Sequence, residues 1–252
     1  MYQTDPPRSP KEVLPTMYDL PSEDPQEAGL PDEFHIFQSQ LLRETFCPPG
    51  YPLDQVFVGT DLNLYYDVRH PLWYKRPDWF AVAGVPRLYE GQVSRLSYVT
   101  WQEGINPLIV VELLSPSTEL EDLGQTLREA NQPPTKWEVY ERFLRIPYYV
   151  VFDGYTNQMQ AFRLQGDCYV PLNLPDSRLW INSLRLGISV WQGVYQGIER
   201  QWLRWYNSTG TWILCERERT EAAQQQAEQE RQRVQRLIAQ LRSLGVEPDL
   251  GD

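Results

Sequence analysis

The amino-acid sequence predicts an α/β protein in which a mixed β-sheet is flanked by helices and followed by a long C-terminal helix. Short runs rich in Val, Ile and aromatic residues recur from position 56 onward, which is typical of buried strands. Two of these runs, 108–114 and 148–152, are separated by a helical pattern. A strand, helix, strand order favours parallel pairing through a right-handed crossover, and so predicts a mixed sheet.

The first part of the chain divides into an arm and a helix. Positions 1–30 are Pro-rich and polar, a composition that cannot bury enough apolar surface to fold alone, so we expect an extended arm. Positions 31–46 carry apolar residues spaced for one buried helical face, and Pro48-Pro49-Gly50 then ends the pattern. We expect one helix over 31–46.

The predicted sheet follows this helix. The expected strands lie at 56–58, 62–66, 76–82, 108–114, 148–152, 160–164 and 169–172. The helix before the strand at 148 starts at a capping box formed by Thr135 and Glu138. Its apolar stripe consists of Trp137, Tyr140 and Leu144. The aromatic-rich segment 180–215 is expected to pack on the same domain, so that 31–215 form one unit.

The segment 216–246 predicts a long helix. No Gly or Pro interrupts it from Glu216 to Leu244. One heptad position holds Ala227, Val234 and Leu241, and the other holds Ala223, Glu230, Leu237 and Leu244. This pattern is compatible with a coiled coil that joins two copies in a homodimer, and we expect 247–252 to form a short tail.

Composition excludes several classes of protein. The net charge of −11 over 252 residues disfavours unspecific wrapping of nucleic acid, although a local basic groove drawing on Arg69, Lys75, Arg76 and Arg87 stays compatible with it. The three cysteines are isolated and only two histidines are present, so zinc and a Ser-His-Asp triad are not expected. No apolar run reaches the roughly 18 residues of a membrane span, and we expect a cytoplasmic protein with no membrane contact.

Two acids inside strand-like runs are the main candidates for chemistry. Asp78 and Glu112 stand in apolar surroundings, where an acid is costly to desolvate unless a partner or a metal compensates it. On neighbouring strands they could hold a hard cation such as Mg²⁺. Alternatively, Asp78 makes a turn bond beside Pro77 and Glu112 pairs with a core arginine.

Lys136 is the third candidate. It falls in the first turn of the helix capped by Thr135, where a cation opposes the helix dipole, so its position is easier to understand if it faces an anion. Otherwise Lys136 is an ordinary solvated lysine.

The order of these motifs resembles the Uma2 family, a group of restriction-endonuclease-like proteins in the PD-(D/E)xK nuclease superfamily. Pro77-Asp78, the run from Val110 to Pro116, the Lys136-x-x-x-Tyr140 spacing and the run from Ile146 to Asp153 carry the resemblance, which covers about 30–175. It implies a restriction-endonuclease-like fold and an endonuclease that hydrolyses DNA phosphodiester bonds. Asp78 and Glu112 would hold Mg²⁺, or Mn²⁺, and Lys136 would position the attacking water.

The sequence departs from the superfamily pattern at one position and leaves other roles open. The superfamily lysine two residues after the Glu is replaced by Leu114. This departure supports an alternative, a catalytically inactive nuclease fold that acts as a protein-interaction module, and an RNA nuclease would use the same site. Glu33 and Glu44 are further acids on the first helix, while Asp61 and Asp67 fit turn roles better.

Overall fold

The computed structural model describes residues 32–115, 118–126 and 132–245. The predicted arm over 1–30 and the tail over 247–252 lie outside these residues. The helices are α1 (Glu33–Thr45), α2 (Thr100–Glu103), α3 (Glu119–Asp122), α4 (Lys136–Glu138) and α5 (Glu216–Ser243). The strands are β1 (Val56–Gly59), β2 (Leu64–Tyr65), β3 (Tyr74–Lys75), β4 (Trp79–Ala83), β5 (Tyr98–Val99), β6 (Ile109–Leu113), β7 (Tyr148–Asp153), β8 (Gln158–Gln165), β9 (Cys168–Pro171), β10 (Arg178–Ile181), β11 (Leu186–Tyr195) and β12 (Ile198–Tyr206).

A six-stranded mixed sheet forms the centre, in the order β1-β4-β6-β7-β8-β9. Strands β6 and β7 are parallel, and the other neighbours are antiparallel. The parallel pair is the one joined by α3 and α4, which confirms the mixed α/β fold expected from the strand, helix, strand order. The sheet therefore brings β4, which Asp78 directly precedes, beside β6, which contains Glu112.

Side chains of the central strands alternate between the two faces of the sheet, and each face packs in its own hydrophobic core. One face of the sheet packs with α1 and with the three-stranded sheet β10-β11-β12, and Trp79, Val111 and Trp205 are buried there. The other face holds Val110, Tyr140 and Tyr149, which pack beneath the segment from α4 to β7. Glu112 follows Val111 and belongs to this second face, where its side chain is fully buried.

The helix that starts at the Thr135 capping box is α-helical over fewer residues than the sequence predicts, and it continues as a wider π-helical turn. The capping box forms, but α-helical geometry covers only Lys136–Glu138, and Val139–Phe143 is a π-helical turn. The Leu144 N–H donates to the Val139 carbonyl at 2.9 Å, which is the five-residue spacing of a π turn. Single π turns of this kind are frequent at functional sites.

The aromatic segment after β9 forms a second sheet of three antiparallel strands, β10-β11-β12. Trp202 and Trp205 are fully buried, and the Gln38 side chain of α1 bonds both the N–H and the carbonyl of Leu203 at 2.8 and 2.9 Å. These tryptophans act as core residues, and the second sheet holds α1 against the central sheet. A third, small sheet has the order β3-β2-β5.

The first turn of the C-terminal helix α5 contacts the second sheet, and the rest of the helix is largely exposed. Arg204, which is buried, pairs with Glu218 in the first turn, and Glu218 also accepts the N–H of Cys215 at 2.9 Å. No residue of Glu216–Ser243 is buried. Val234 and Leu237 are about half exposed, at 49% and 50%. Among the described residues no helix is both long enough and apolar enough to cross a membrane.

Candidate active site

Asp78 and Glu112 face each other at the end of the β4–β6 pairing. Trp79 is paired with Val111, so the residues just before Trp79 and just after Val111 come next in the antiparallel register. The Asp78 N–H donates to Glu112 Oε2 at 3.3 Å, and the Leu113 N–H donates to Asp78 Oδ2 at 2.7 Å. Each carboxylate thus accepts a backbone N–H from the opposite strand, which fixes the two acids beside each other.

Two side chains of the capped helix reach Glu112. The Tyr140 hydroxyl donates to Glu112 Oε1 at 2.7 Å, and Lys136 Nζ donates to Oε2 at 3.1 Å. Lys136 and Tyr140 are four residues apart and therefore lie on one face of the helical segment. A fully buried carboxylate is costly without partners, and these donors supply the compensation.

The start of the helix positions Lys136. The Thr135 hydroxyl accepts the Glu138 N–H at 3.2 Å, and the Glu138 carboxylate accepts the Thr135 N–H at 3.0 Å. The Lys136 N–H donates to Glu121 Oε1 at 3.0 Å. The capping box and the bond to Glu121 therefore both hold the backbone at Lys136. The Lys136 side chain is 15% exposed.

A third acid, Asp122, completes the cluster and was missed from the sequence. Its carboxylate is fully buried, and Oδ1 lies 2.9 Å from Lys136 Nζ. Asp122 stands in the acidic run of α3, where Glu119 is exposed and Glu121 is half-buried. Residue type alone does not show which acid of such a run points inward. We define the acid–lysine cluster as Asp78, Glu112, Asp122 and Lys136.

The charges in the acid–lysine cluster are unbalanced. Burial raises the pKa of Asp78, and raises the pKa of Glu112 well above its ordinary value, even though Lys136 opposes both shifts. Burial by itself lowers the pKa of Lys136, but Asp122, Glu112 and Asp78 more than offset this and raise its pKa well above the usual range. Lys136 is therefore an ammonium, and three acids share its one positive charge.

Helix α1 supports the site through residues that sequence reasoning did not select. His35 Nε2 bonds the Leu113 carbonyl at 3.1 Å, and its Nδ1 lies 2.7 Å from Asp32 Oδ1. Burial tends to lower the pKa of His35, but the bond to Asp32, the charges of Asp78 and Asp32 and the bond to Leu113 together outweigh it and raise the pKa. The Ser39 hydroxyl donates to the Asp78 carbonyl at 3.3 Å.

The first-helix acids that the sequence left open lie elsewhere. Glu33 is exposed in the first turn of α1. Glu44 accepts the Tyr195 hydroxyl at 3.0 Å and the Glu216 N–H at 3.4 Å, so it joins α1 to the second sheet and to α5.

Several charged residues near the site form local pairs. Asp61 pairs with Arg76 at 2.7 Å, and Asp67 pairs with both Arg69 and His70. Lys75 Nζ lies 2.9 Å from Glu121 Oε1. Three of the four residues expected for a basic groove, Arg69, Lys75 and Arg76, thus have acidic partners, which reduces the positive field that they offer to a nucleic acid.

Leu114 is an apolar core residue. It lies two residues after Glu112 on the same face of the chain, and only 7% of its surface is exposed. It packs in the second core together with Val139, Tyr140 and Leu144. The amine in contact with Glu112 comes from the neighbouring helix instead, through Lys136.

The fold and the site define a mixed α/β protein with buried acids and a lysine at the end of two adjacent strands. The model of the Uma2 family, described as "Putative restriction endonuclease", matches residues 22–192. This is more than half of the chain, which therefore belongs to the Uma2 family.

A crystal structure of "a putative nuclease belonging to DUF820" from Anabaena variabilis ATCC 29413 matches with 15% identity and a TM-score of 0.41, over 62% of this chain and 76% of that chain. No curated protein matches this chain.

Proposed function

We propose that this protein is a nuclease that hydrolyses DNA phosphodiester bonds with a divalent cation, Mg²⁺ or Mn²⁺. Asp78 and Glu112 would hold the cation, and Lys136 would position the attacking water or stabilise the charge that develops on the phosphate. The observation that carries the proposal is the geometry of Glu112. Its buried carboxylate meets the Asp78 N–H at 3.3 Å and Lys136 Nζ at 3.1 Å.

The residues present fit a hard cation. The donors are carboxylate oxygens, which Mg²⁺ prefers, and Mg²⁺ is commonly bound by one or two carboxylates together with water and substrate phosphate. Within the described residues no group of three or more His, Cys, Asp or Glu side chains has metal-binding geometry. The fit is therefore to a pair of acids whose uncompensated charge a cation would neutralise.

A divalent cation at this pair would activate water as a nucleophile and offset negative charge on the phosphodiester. The chain itself supplies orientation. Tyr140 fixes Oε1 of Glu112, and the crossed backbone bonds fix Asp78. The ammonium of Lys136 is the one fixed positive charge of the acid–lysine cluster, and it is suited to meet a phosphate oxygen.

The alternative is an inactive nuclease fold that binds protein partners. The ion pair between Lys136 and Glu112 favours it, because such a pair can also be purely structural, and Leu114 replaces the superfamily lysine. In either case we propose that the half-exposed apolar residues of α5 join two copies of the chain.

A cleavage assay separates the two functions. Mixed DNA and RNA substrates are incubated with Mg²⁺, Mn²⁺ or a chelator, and the natural chain is compared with Asp78→Ala, Glu112→Ala and the control Asp167→Ala, whose side chain is exposed. We expect cation-dependent cleavage of DNA that falls by about 10²-fold or more in the first two variants only. Equal residual cleavage in all four proteins would refute the nuclease proposal.

A further inference from the structure

Asp122 has no evident structural reason to be an acid. Its side chain is fully buried, and neither carboxylate oxygen has a partner in hydrogen-bond geometry among the described residues. Its one ion pair in the part of the chain described is with Lys136. A buried carboxylate with an unsatisfied oxygen is destabilising, and an apolar residue would cost less at a purely structural position.

The local structure holds Asp122 and Lys136 in register. The Tyr149 hydroxyl of β7 donates to the Asp122 carbonyl at 2.8 Å, which ties the end of α3 to the central sheet. The neighbouring residue Glu121 accepts the Lys136 N–H at 3.0 Å. Adjacent residues of α3 therefore bind the backbone and the side chain of one lysine.

Close packing reinforces this arrangement. Gly124 has a φ of +69°, and a Cβ atom at this position would lie 2.8 Å from the ring of Trp137. Trp137 directly follows Lys136 in α4. The turn after α3 is thus in contact with the first turn of α4, which carries Lys136.

The two carboxylates that contact Lys136 Nζ, those of Glu112 and Asp122, have different roles in the proposed function. Oε2 of Glu112 accepts both the Asp78 N–H and Lys136 Nζ, so a cation held by Asp78 and Glu112 would compete with the ammonium for Glu112. Positive charge at the Glu112 carboxylate would repel the ammonium and weaken its bond to Glu112. The ion pair between the Asp122 carboxylate and Nζ would remain.

We infer that Asp122 is a positioning residue, which would keep the ammonium of Lys136 at the site when Glu112 holds the cation. This inference rests on the proposed function for its purpose. Whether Asp122 holds the Lys136 side chain independently of Glu112 can be measured without any cleavage.

Amine labelling tests the anchor directly. Lysine occurs only at positions 11, 75 and 136, so mass spectrometry can follow reductive methylation of Lys136 separately. The full chain is compared with Asp122→Asn, with Asp122→Glu as the conservative variant and with Glu119→Gln as the control for an exposed acid of the same helical turn. Each protein is labelled with a chelator and with Mg²⁺.

We expect Lys136 in Asp122→Asn to be labelled roughly tenfold faster than in the natural chain when Mg²⁺ is present, and less so with a chelator, because Glu112 then still binds it. Asp122→Glu should restore slow labelling, and Glu119→Gln should not change it. Equal labelling of Lys136 in all proteins would overturn the inference. If Asp122→Asn does not fold, Asp122→Ser is tested in the same way.

Two further measurements separate the inference from its rivals. Affinity for Mn²⁺ should stay within about threefold in Asp122→Asn; a loss of tenfold or more would make Asp122 a cation ligand and would overturn the positioning role. In cleavage, kcat should fall while KM for DNA is unchanged. Absence of cleavage in the natural chain would refute the proposed function, while the labelling result would still decide whether Asp122 anchors Lys136.

Discussion

Replacing Lys136 with methionine tests the charge balance of the acid–lysine cluster. The substitution keeps a side chain of similar length but removes the cation that lies 3.1 Å from Glu112 and 2.9 Å from Asp122. Both carboxylates are fully buried, and removing one partner of a buried ion pair costs about 3–5 kcal/mol. We expect a loss of this size in the free energy of unfolding at pH 8 with a chelator present.

The loss should depend on pH. An acid whose pKa is higher in the folded than in the unfolded protein takes up a proton on folding, so its unfavourable contribution grows as the pH rises above the unfolded pKa. Glu112 already has a raised pKa, and losing Lys136 removes the group that opposes this shift. The destabilisation should therefore be smaller at pH 5 than at pH 8.

Urea unfolding of the natural chain and Lys136→Met at the two pH values measures this effect. The control is Arg217→Met, which removes an exposed partner of Glu221 and should cost no more than about 1 kcal/mol. The reasoning would be refuted if both variants lost the same small amount, or if the loss in Lys136→Met did not change with pH.

Three other expectations follow from the structure. Tyr140→Phe removes the donor to Glu112 Oε1, and we expect it to lower the free energy of unfolding by about 1–3 kcal/mol, measured by urea unfolding. Asp78→Asn should raise the melting temperature of the metal-free protein above pH 7, because the pKa of Asp78 is raised, and the gain should vanish towards pH 4; an unchanged melting temperature above pH 7 would contradict this. Val234→Glu combined with Leu241→Glu should lower the mass seen in sedimentation, whereas Gln225→Glu with Gln232→Glu, on the outer face of the same heptads, should not; a monomeric natural chain would argue against the proposed dimer.

Part of the site could be predicted from the sequence because burying a carboxylate is costly. The strand-like runs around Asp78 and Glu112 contain acids that require compensation, and the structure does place these residues opposite each other. Lys136 could be selected because a capping box fixes the start of its helix, and a lysine there opposes the helix dipole.

The rest of the site depends on contacts that sequence spacing does not encode. His35 and Ser39 reach Leu113 and Asp78 across 78 and 39 residues, and their helical face was selected only for its apolar members. Asp122 lies beside Glu121 in one short turn, and residue type does not show that the Asp122 carboxylate meets the Lys136 side chain while Glu121 meets its backbone N–H. The π turn at Val139–Phe143 is likewise not predicted by the apolar stripe.

The central claim is that Asp78 and Glu112 form a cation site, and binding of Mn²⁺ to the metal-free chain tests it most directly. Titration followed by electron paramagnetic resonance does not depend on the sequence of the nucleic acid. We predict saturable binding that Mg²⁺ displaces, that is lost in Glu112→Gln and Asp78→Asn, and that persists in Glu33→Gln, which alters an exposed acid of α1. Binding of equal strength in all four proteins, or no binding by the natural chain, would contradict the claim.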